Sequence, residues 1–280
     1  MTATRFLERL PLYLVGLAVA LWTLLPIYHL LMIALSPPDK AVAGDLFPET
    51  VTLQNFVTIL GSKHNLVQHF WTQIWNSTLI AVVTALLTLV VGVGANFSIS
   101  RLRIPGGRLI TNIALLTYLI PAAFLAIPMY RTMGQYGFLD NPWSMIFAMV
   151  TLAAPYAIWV MNQASAKLPV ELDEAARIDG ATPLQILRFV YLPLMAPTLV
   201  AIGIYALLLA WNEYLYAFLM LSTERQLTLA PALGIFLAFD DAPWALMMAA
   251  GALYALPPTI VYYMFRRYMV GGLTAGAVKG

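Results

Sequence analysis

The sequence lacks cysteine and has few histidines and few charged side chains. Without cysteine, the chain can form neither disulfides nor thiolate metal sites. Its three histidines, His29, His64 and His69, show no ligand pattern with carboxylates, so neither a metal site nor a cofactor is expected. Charged residues make up 10% of the 280 residues, against about 25% in an average soluble domain, and 61% are hydrophobic. We therefore expect most of the surface to face lipid.

Several functional motifs are also missing. The chain has no Gly-x4-Gly-Lys-Ser/Thr phosphate loop, so it is not expected to hydrolyse ATP itself. It has no His-Glu-x-x-His or Gly-x-Ser-x-Gly motif, which disfavours an enzyme working inside the membrane. The net charge of +2 is small and gives no reason to expect a nucleic-acid partner.

The apolar residues fall into six stretches, each near the length of about 20 residues that a helix needs to cross a membrane. They are Pro11–Leu35, Ile74–Ser98, Leu109–Tyr130, Trp143–Gln163, Pro197–Leu221 and Trp244–Phe265. Pro155 interrupts the fourth, which membrane helices tolerate when neighbouring groups satisfy the freed carbonyl. The first is too long for a signal peptide core, so we interpret it as a retained helix. The pattern predicts an all-α, polytopic membrane protein with one transmembrane domain over residues 1–280.

The basic residues are distributed unequally across the predicted membrane. Eleven of the 15 Lys and Arg residues fall on one side: Arg5, Arg9, Arg101, Arg103, Arg108, Lys167, Arg177, Arg188, Arg266, Arg267 and Lys279. Loops rich in Lys and Arg stay in the cytoplasm. Both termini are therefore predicted to be cytoplasmic.

The most charged of the predicted cytoplasmic segments covers residues 165–196. Acidic residues in the first turn predict a helix over Glu171–Ile178, which Gly180 can end. Thr182 and Pro183 begin a second helical run that leads through Pro193 into the fifth span. The sequence thus predicts a helix, a sharp turn and a helix at the membrane surface. One face of the first helix would combine Leu172, Ala175, Ala176 and Asp179, a small face that a partner can approach closely.

Within this segment, Glu174, Ala175 and Ala176 are followed after three residues by Gly180, and Gly180 is followed after nine further residues by Val190. Leu192 and Pro193 come after one further residue. This pattern resembles the EAA motif of ABC importer permeases, E-A-A-x3-G-x9-I-x-L-P, with Val190 for isoleucine as the only departure. The resemblance implies the fold of a type I importer permease (MetI-like) in the inner membrane of a bacterium.

In that family the motif forms coupling helices that dock in a cleft of an ATP-binding subunit. The resemblance therefore implies an ATPase-coupling role for Glu174, Ala175, Ala176, Asp179, Gly180, Leu192 and Pro193. It also implies the partners, which are a pair of ATP-binding subunits, a second homologous permease and an extracytoplasmic solute-binding protein, besides membrane lipid. The outer segment Thr223–Pro243 would help to receive the binding protein.

Two further features resemble the carbohydrate branch of the family. Residues Gly271–Gly280, in the C-terminal tail 266–280, are similar to the end of the maltose-type permease G subunit, and residues 211–214 are similar to the carbohydrate branch. A sugar or sugar-like solute is therefore expected. The scarcity of Lys and Arg at membrane depth favours a neutral solute, because a phosphate would need basic partners. A polyol or a glycerol phosphate ester stays open as an alternative.

Asn212 and Glu213 are polar residues at predicted membrane depth, where a carboxylate is costly and usually faces a cavity or a partner. They could line the solute path, or they could form hydrogen bonds between helices. A secondary transporter would place ion-coupling groups near the midplane, often within inverted repeats. A single buried carboxylate and no evident repeat argue against that class, and ATP dependence of transport would separate the two.

Overall fold

The structure, a computed structural model, describes residues 3–41, 47–48 and 50–274, and helices make up most of this part of the chain. The α-helices in this part are α1 (Ala3–Ala34), α2 (Gln54–Leu60), α3 (Phe70–Ser100), α4 (Gly107–Thr117), α5 (Ala122–Gln135), α6 (Pro142–Ser165), α7 (Glu171–Ile178), α8 (Pro183–Ile186), α9 (Leu192–Trp211), α10 (Leu215–Met220), α11 (Leu229–Ile235) and α12 (Trp244–Thr274). A π-helical segment, Leu187–Tyr191, joins α8 to α9. These residues include no strand, which confirms the all-α prediction. The last six residues of the predicted tail 266–280 lie outside the described part.

Within the described residues, five helical stretches are long and apolar enough to cross a membrane: Arg9–Ala34, Asn65–Ser100, Pro142–Ser165, Pro183–Trp211 and Trp244–Arg266. The pair α4 and α5 provides a sixth crossing if the two helices are counted as one span. This agrees with the predicted six-span architecture. The third and the fifth predicted spans differ from the prediction in shape.

The third predicted span, Leu109–Tyr130, is not one helix. Helices α4 and α5 meet at an angle of 101°. Pro121 precedes α5 with extended backbone (ψ 126°), and the N–H of Ile120 bonds back to Thr117 in a tight last turn. Proline has no N–H to continue a helix, and it disfavours helical geometry in the residue before it. The break therefore follows from Pro121.

The fourth span is continuous, although Pro155 lies inside it. Half of the most apolar stretch of α6 is buried, more than in the other four long apolar stretches of the described chain. Ala153 of α6 packs with Ala85 of α3 and Ala206 of α9, where the small side chains allow these helices to approach closely. Neighbouring helices therefore pack against α6 near Pro155, and this packing keeps the helix continuous.

The fifth span begins and ends earlier than predicted. The second helical run of segment 165–196 continues without a break from Pro183 to Trp211, so it forms one 29-residue stretch with the fifth span. The helix ends at Trp211, and the short helix α10 follows after a break. Asn212 and Glu213 therefore lie in a helix break and not within a spanning helix.

The described chain consists of two compact units. One comprises Trp71–Ala232 with Pro257–Gly280 and contains segment 165–196; the other comprises Met1–Phe70 with Leu233–Leu256. In the second unit the buried Asn55 of α2 donates from Nδ2 to the carbonyls of Ala34 and Ser36, at 2.9 Å each. These bonds attach α2 to the end of α1, where helix carbonyls lack partners within the helix.

Candidate functional site

Helix α7 ends in a turn that Gly180 makes possible. The N–H of Ala181 donates to the carbonyl of Ala176 (2.9 Å), and the N–H of Gly180 donates to that of Arg177 (3.0 Å). This pair of bonds is the Schellman arrangement, in which the residue after the helix adopts left-handed geometry. Gly180 has φ +81°, as the sequence predicted for a glycine ending this helix. The predicted helix Glu171–Ile178 and its sharp turn are both confirmed.

The second helix of the segment starts with a capping box. The hydroxyl of Thr182 accepts from the N–H of Gln185, and the side chain of Gln185 accepts from the N–H of Thr182 at 2.7 Å. Each bond satisfies a backbone donor that the first helical turn leaves unpaired. Only Asp179, Gly180 and Ala181 separate the end of α7 from this cap, so the chain direction changes within a few well-bonded residues.

The motif residues do not form one common face. Glu174, Ala175, Asp179, Gly180 and Pro193 are exposed, whereas Ala176 and Leu192 are half-buried. Ala176 packs with Ala181 against a core that contains Phe97, Met161 and Tyr191. The small face expected to combine Ala175 with Ala176 is therefore wrong for Ala176, which contacts the chain's own core.

Large apolar side chains are exposed beside the exposed motif residues. Ile178 at the end of α7 is 87% exposed, and Leu184 at the start of the next helix is 71% exposed. Leu172 at the start of α7 is exposed to a smaller degree. Such side chains flanking a small residue, Ala175, form an apolar surface that a protein partner could cover. We call Leu172, Ala175, Ile178 and Leu184 the docking surface.

An ion pair that the sequence analysis did not identify attaches α7 to the end of α3. Asp173 of α7 is buried, and its Oδ2 lies 3.1 Å from Nε of Arg101, the first residue after α3. The N–H does not point at the carboxylate well enough to form a regular hydrogen bond, so the contact is an ion pair. The only sequence signals were an acidic residue next to Glu174 and an arginine at a helix end.

A hydrogen bond links the last turns of α3 to the π-helical segment. The side-chain amide of the buried Asn96 donates to the hydroxyl of Tyr191. The Tyr191 ring also meets Phe97 edge to face, with ring centroids 5.4 Å apart. π-helical turns in proteins are frequently found at functional sites. Tyr191 thus connects the beginning of α9 to the last turns of α3.

Asn212 and Glu213 both bond locally within the helix break. Glu213 Oε1 accepts from the N–H of Tyr216 at 3.1 Å and so caps α10. The Asn212 amide donates to the carbonyl of Leu208 at 2.9 Å. Each bond joins groups that are close in sequence, so each of the two polar side chains has a hydrogen-bond partner nearby in the chain. Asn212 is nevertheless exposed at the break.

Three tyrosines cluster near the bend between α4 and α5. The hydroxyls of Tyr118 and Tyr205 lie 3.0 Å apart, and the rings of Tyr156 and Tyr205 have centroids 4.4 Å apart. Tyr118 follows α4, Tyr156 lies in α6 and Tyr205 in α9. Aromatic side chains join an apolar ring face to a polar hydroxyl. No local sequence pattern reveals this cluster, because its members come from three different spans.

The segment that follows α10 is fixed at its beginning by Asp140. Asp140 Oδ1 accepts from the N–H groups of Ser222 (2.8 Å) and Thr223 (3.0 Å) and from the Thr223 hydroxyl (3.2 Å). Desolvation alone would raise the pKa of Asp140, but these hydrogen bonds to its charged form together lower it below the ordinary value.

The beginning of α3 holds the next part of this segment. Gln73 Nε2 donates to the carbonyl of Glu224, and Asn76 Nδ2 donates to the carbonyls of Arg225 (2.8 Å) and Leu227 (3.1 Å). Residues 222–227 are therefore bonded to α3 and to the turn before α6.

Among the described residues, no group of three or more histidines and carboxylates is arranged to hold a metal ion. His64 belongs to no such group, and its Nδ1 accepts a hydrogen bond from the N–H of Leu66. His69 also has interactions within the chain.

Comparisons with known proteins agree on one family. The model of the family "Binding-protein-dependent transport system inner membrane component" matches residues 88–274. The chain is 32% identical to the inner membrane ABC transporter permease protein YcjP of Escherichia coli (strain K12), over 100% of this chain and 99% of that protein. It is 34% identical to the trehalose transport system permease protein SugB of Mycobacterium tuberculosis, over 92% and 93% of the two chains.

A solved structure shows the same architecture. It is a bacterial ABC transporter involved in the import of the acidic polysaccharide alginate, and its matched chain is 26% identical with a TM-score of 0.77. The alignment covers 96% of this chain and 98% of that one.

Proposed function

Because this chain belongs to the family of inner membrane components of binding-protein-dependent transport systems, we propose that it forms half of a transmembrane import pathway driven through α7. It is a permease subunit of a sugar ABC importer, a transport component and not an enzyme. A second, homologous permease supplies the other half. Two ATP-binding subunits supply the energy, and an extracytoplasmic binding protein delivers the solute.

The docking surface beside Gly180 is the observation that carries this proposal. Three large apolar side chains of this surface are exposed in the most charged loop of the chain, where water would otherwise surround them. Burying them against an ATP-binding subunit would remove that apolar area from water. Glu174 and Asp179 are exposed next to them and can pair with basic groups of the same partner.

A cysteine crosslink tests the docking surface directly. In the assembled importer, cysteine at Ile178 should crosslink to an ATP-binding subunit, with a yield that changes between nucleotide-free and ATP-bound states. As a control, cysteine at Ser222, an exposed residue shortly after α10, should not crosslink to the ATP-binding subunit. Failure of Ile178 to crosslink in any state would refute the docking role of α7.

The orientation follows from the same assignment. With both termini in the cytoplasm, segment 165–196 lies on the side where ATP is bound, and residues 222–243 lie outside. Cysteine at Ser222 should then react with an impermeant maleimide in intact cells, and cysteine at Ile178 should react only after the membrane is opened. The reverse pattern would overturn the orientation.

The solute is a neutral di- or oligosaccharide in this proposal. Named relatives include transport permeases for trehalose and for diacetylchitobiose. In the long apolar helices of the described residues, no Lys or Arg lies near the middle, so an anionic solute would find no cation there. A polyol is the second candidate, since it needs only hydroxyl-binding groups.

Two places could contact the solute. Asn212 and Glu213 lie at a helix break, and transporters often build solute sites where helices are interrupted. The tyrosine cluster of Tyr118, Tyr156 and Tyr205 offers ring faces and hydroxyls, which suit the apolar faces and hydroxyl groups of a sugar. Identifying the ligand that co-purifies with the binding protein would test the solute class. A phosphate ester there would contradict it.

A further inference from the structure

Arg101 and Asp173 are nearly inaccessible to water although both are charged. Their side chains are 5% and 6% exposed, and they belong to elements that are far apart in sequence. A buried ion pair contributes little net stability, because desolvation of both charges offsets their attraction. Well-packed apolar residues could hold α7 equally well. The pair therefore calls for an explanation beyond stability.

The Arg101 guanidinium reaches three different elements. It pairs with Asp173 of α7, its Nη2 donates to the carbonyl of Leu168 at 3.4 Å, and it lies 5.9 Å from the ring centre of Tyr191. In return, Nη2 of Arg177 donates to the carbonyl of Arg101 at 3.3 Å. Asp173 and Arg177 are one helical turn apart, so α7 is attached to the end of α3 at two points.

Helix α7 has few other means of keeping its position. It has eight residues, too few for a helix to be stable in water by itself. Its large apolar side chains Leu172 and Ile178 are exposed, and Ala176 provides an inward apolar contact. The direction in which α7 lies therefore depends strongly on Asp173 and Arg177.

We propose that Arg101 and Asp173 are positioning residues that make α7 and α3 move as one body, so that displacement of α7 by the ATP-binding subunit reaches the membrane helices. This inference rests on the proposed docking of α7. It extends to the far end of α3, where Gln73 and Asn76 hold the outer segment. One rigid helix thus connects the segment that faces the ATP-binding subunit with the outer one.

A distance measurement on the complete importer tests the one-body claim without disturbing the ion pair. Spin labels at Val90 of α3 and Glu171 of α7, both exposed, should give the same distance in nucleotide-free and ATP-bound states. A shift of several ångströms between these states in a transporting complex would overturn the inference.

Variants test the role of the charges. Asp173→Asn leaves Arg101 buried without a counter-charge, so solute-stimulated ATPase activity and transport should fall by roughly tenfold or more. Asp173→Glu should restore part of this loss. Arg103 lines a cleft together with Arg101 and Asp173 but is itself exposed, so Arg103→Ala should behave like the unchanged protein.

The outcomes separate this inference from the proposed function. If Asp173→Asn couples normally while cysteine at Ile178 still crosslinks to the ATP-binding subunit, the inference is wrong and docking stands. If Ile178 crosslinks in no state, docking itself is wrong. Should Asp173→Asn fail to assemble, the label distance in the otherwise unchanged protein still decides the question.

Discussion

Replacing Gly180 tests whether the turn after α7 sets the position of the docking surface. Gly180 has φ +81°, and a Cβ built there would meet no atom within 4 Å. A side chain would therefore cause no collision, and its cost would come from the backbone alone. For an L-residue with a Cβ, left-handed geometry costs about 1–2 kcal/mol. A β-branched residue such as valine is poorer still in this geometry.

That cost is small compared with the stability of a folded protein, which is typically 5–15 kcal/mol. The Gly180→Val protein should consequently insert and assemble at normal abundance. The turn itself would lose its native geometry more often, since 1–2 kcal/mol corresponds to a factor of roughly 5–30 in a population. Coupled transport and solute-stimulated ATPase activity should fall, by up to the same factor.

The assay is uptake and ATPase activity of the importer in proteoliposomes, with abundance measured in parallel. Gly180→Asn is the matched control, because asparagine tolerates left-handed geometry, and it should stay close to the unchanged protein. Gly106 has nearly the same φ (+79°) and equally open surroundings, outside segment 165–196. Gly106→Val should therefore leave coupling intact. Normal transport by Gly180→Val, or equal loss in Gly106→Val, would refute the reasoning.

Three further predictions concern the segment that follows α10 and the proposed solute path. Asp140→Ala should raise hydrogen exchange at Ser222 and Thr223, whereas Asp140→Asn should do so less because an acceptor oxygen remains. In the unchanged protein, these amides should be protected from hydrogen exchange at neutral pH. They should lose protection as pH falls through the lowered pKa of Asp140, because protonation weakens the acceptor. Protection that does not change on acidification would contradict this. Asn212→Ala should slow solute uptake at unchanged abundance, and unaltered uptake would leave Asn212 with a local structural role only.

The prolines show what sequence alone could and could not predict about the spans. Both Pro121 and Pro155 were visible, but only Pro155 was expected to interrupt a span. The structure breaks at Pro121, while α6 continues through Pro155. The difference comes from packing, because α6 is enclosed by α3 and α9, whereas the bend at Pro121 lies among exposed residues such as Leu119 and Phe124. A single sequence does not show which neighbours surround a proline.

Segment 165–196 shows the same limit at the candidate site. Helix α7, its glycine turn and the cap at Thr182 depend on residues close in sequence, so their pattern was readable. The ion pair of Arg101 with Asp173 joins residues from different parts of the chain, and no local spacing reveals it. The inward direction of Ala176 was equally hidden, since it depends on a core to which α3, α6 and α9 all contribute.

The measurement that tests the account most directly is solute uptake by the complete importer in proteoliposomes, with its energy source varied. The account predicts uptake that requires ATP on the side of segment 165–196 and the binding protein on the opposite side, with the docking surface crosslinked to the ATP-binding subunit during turnover. Uptake driven by an ion gradient without ATP would contradict it and would identify the chain as a secondary transporter.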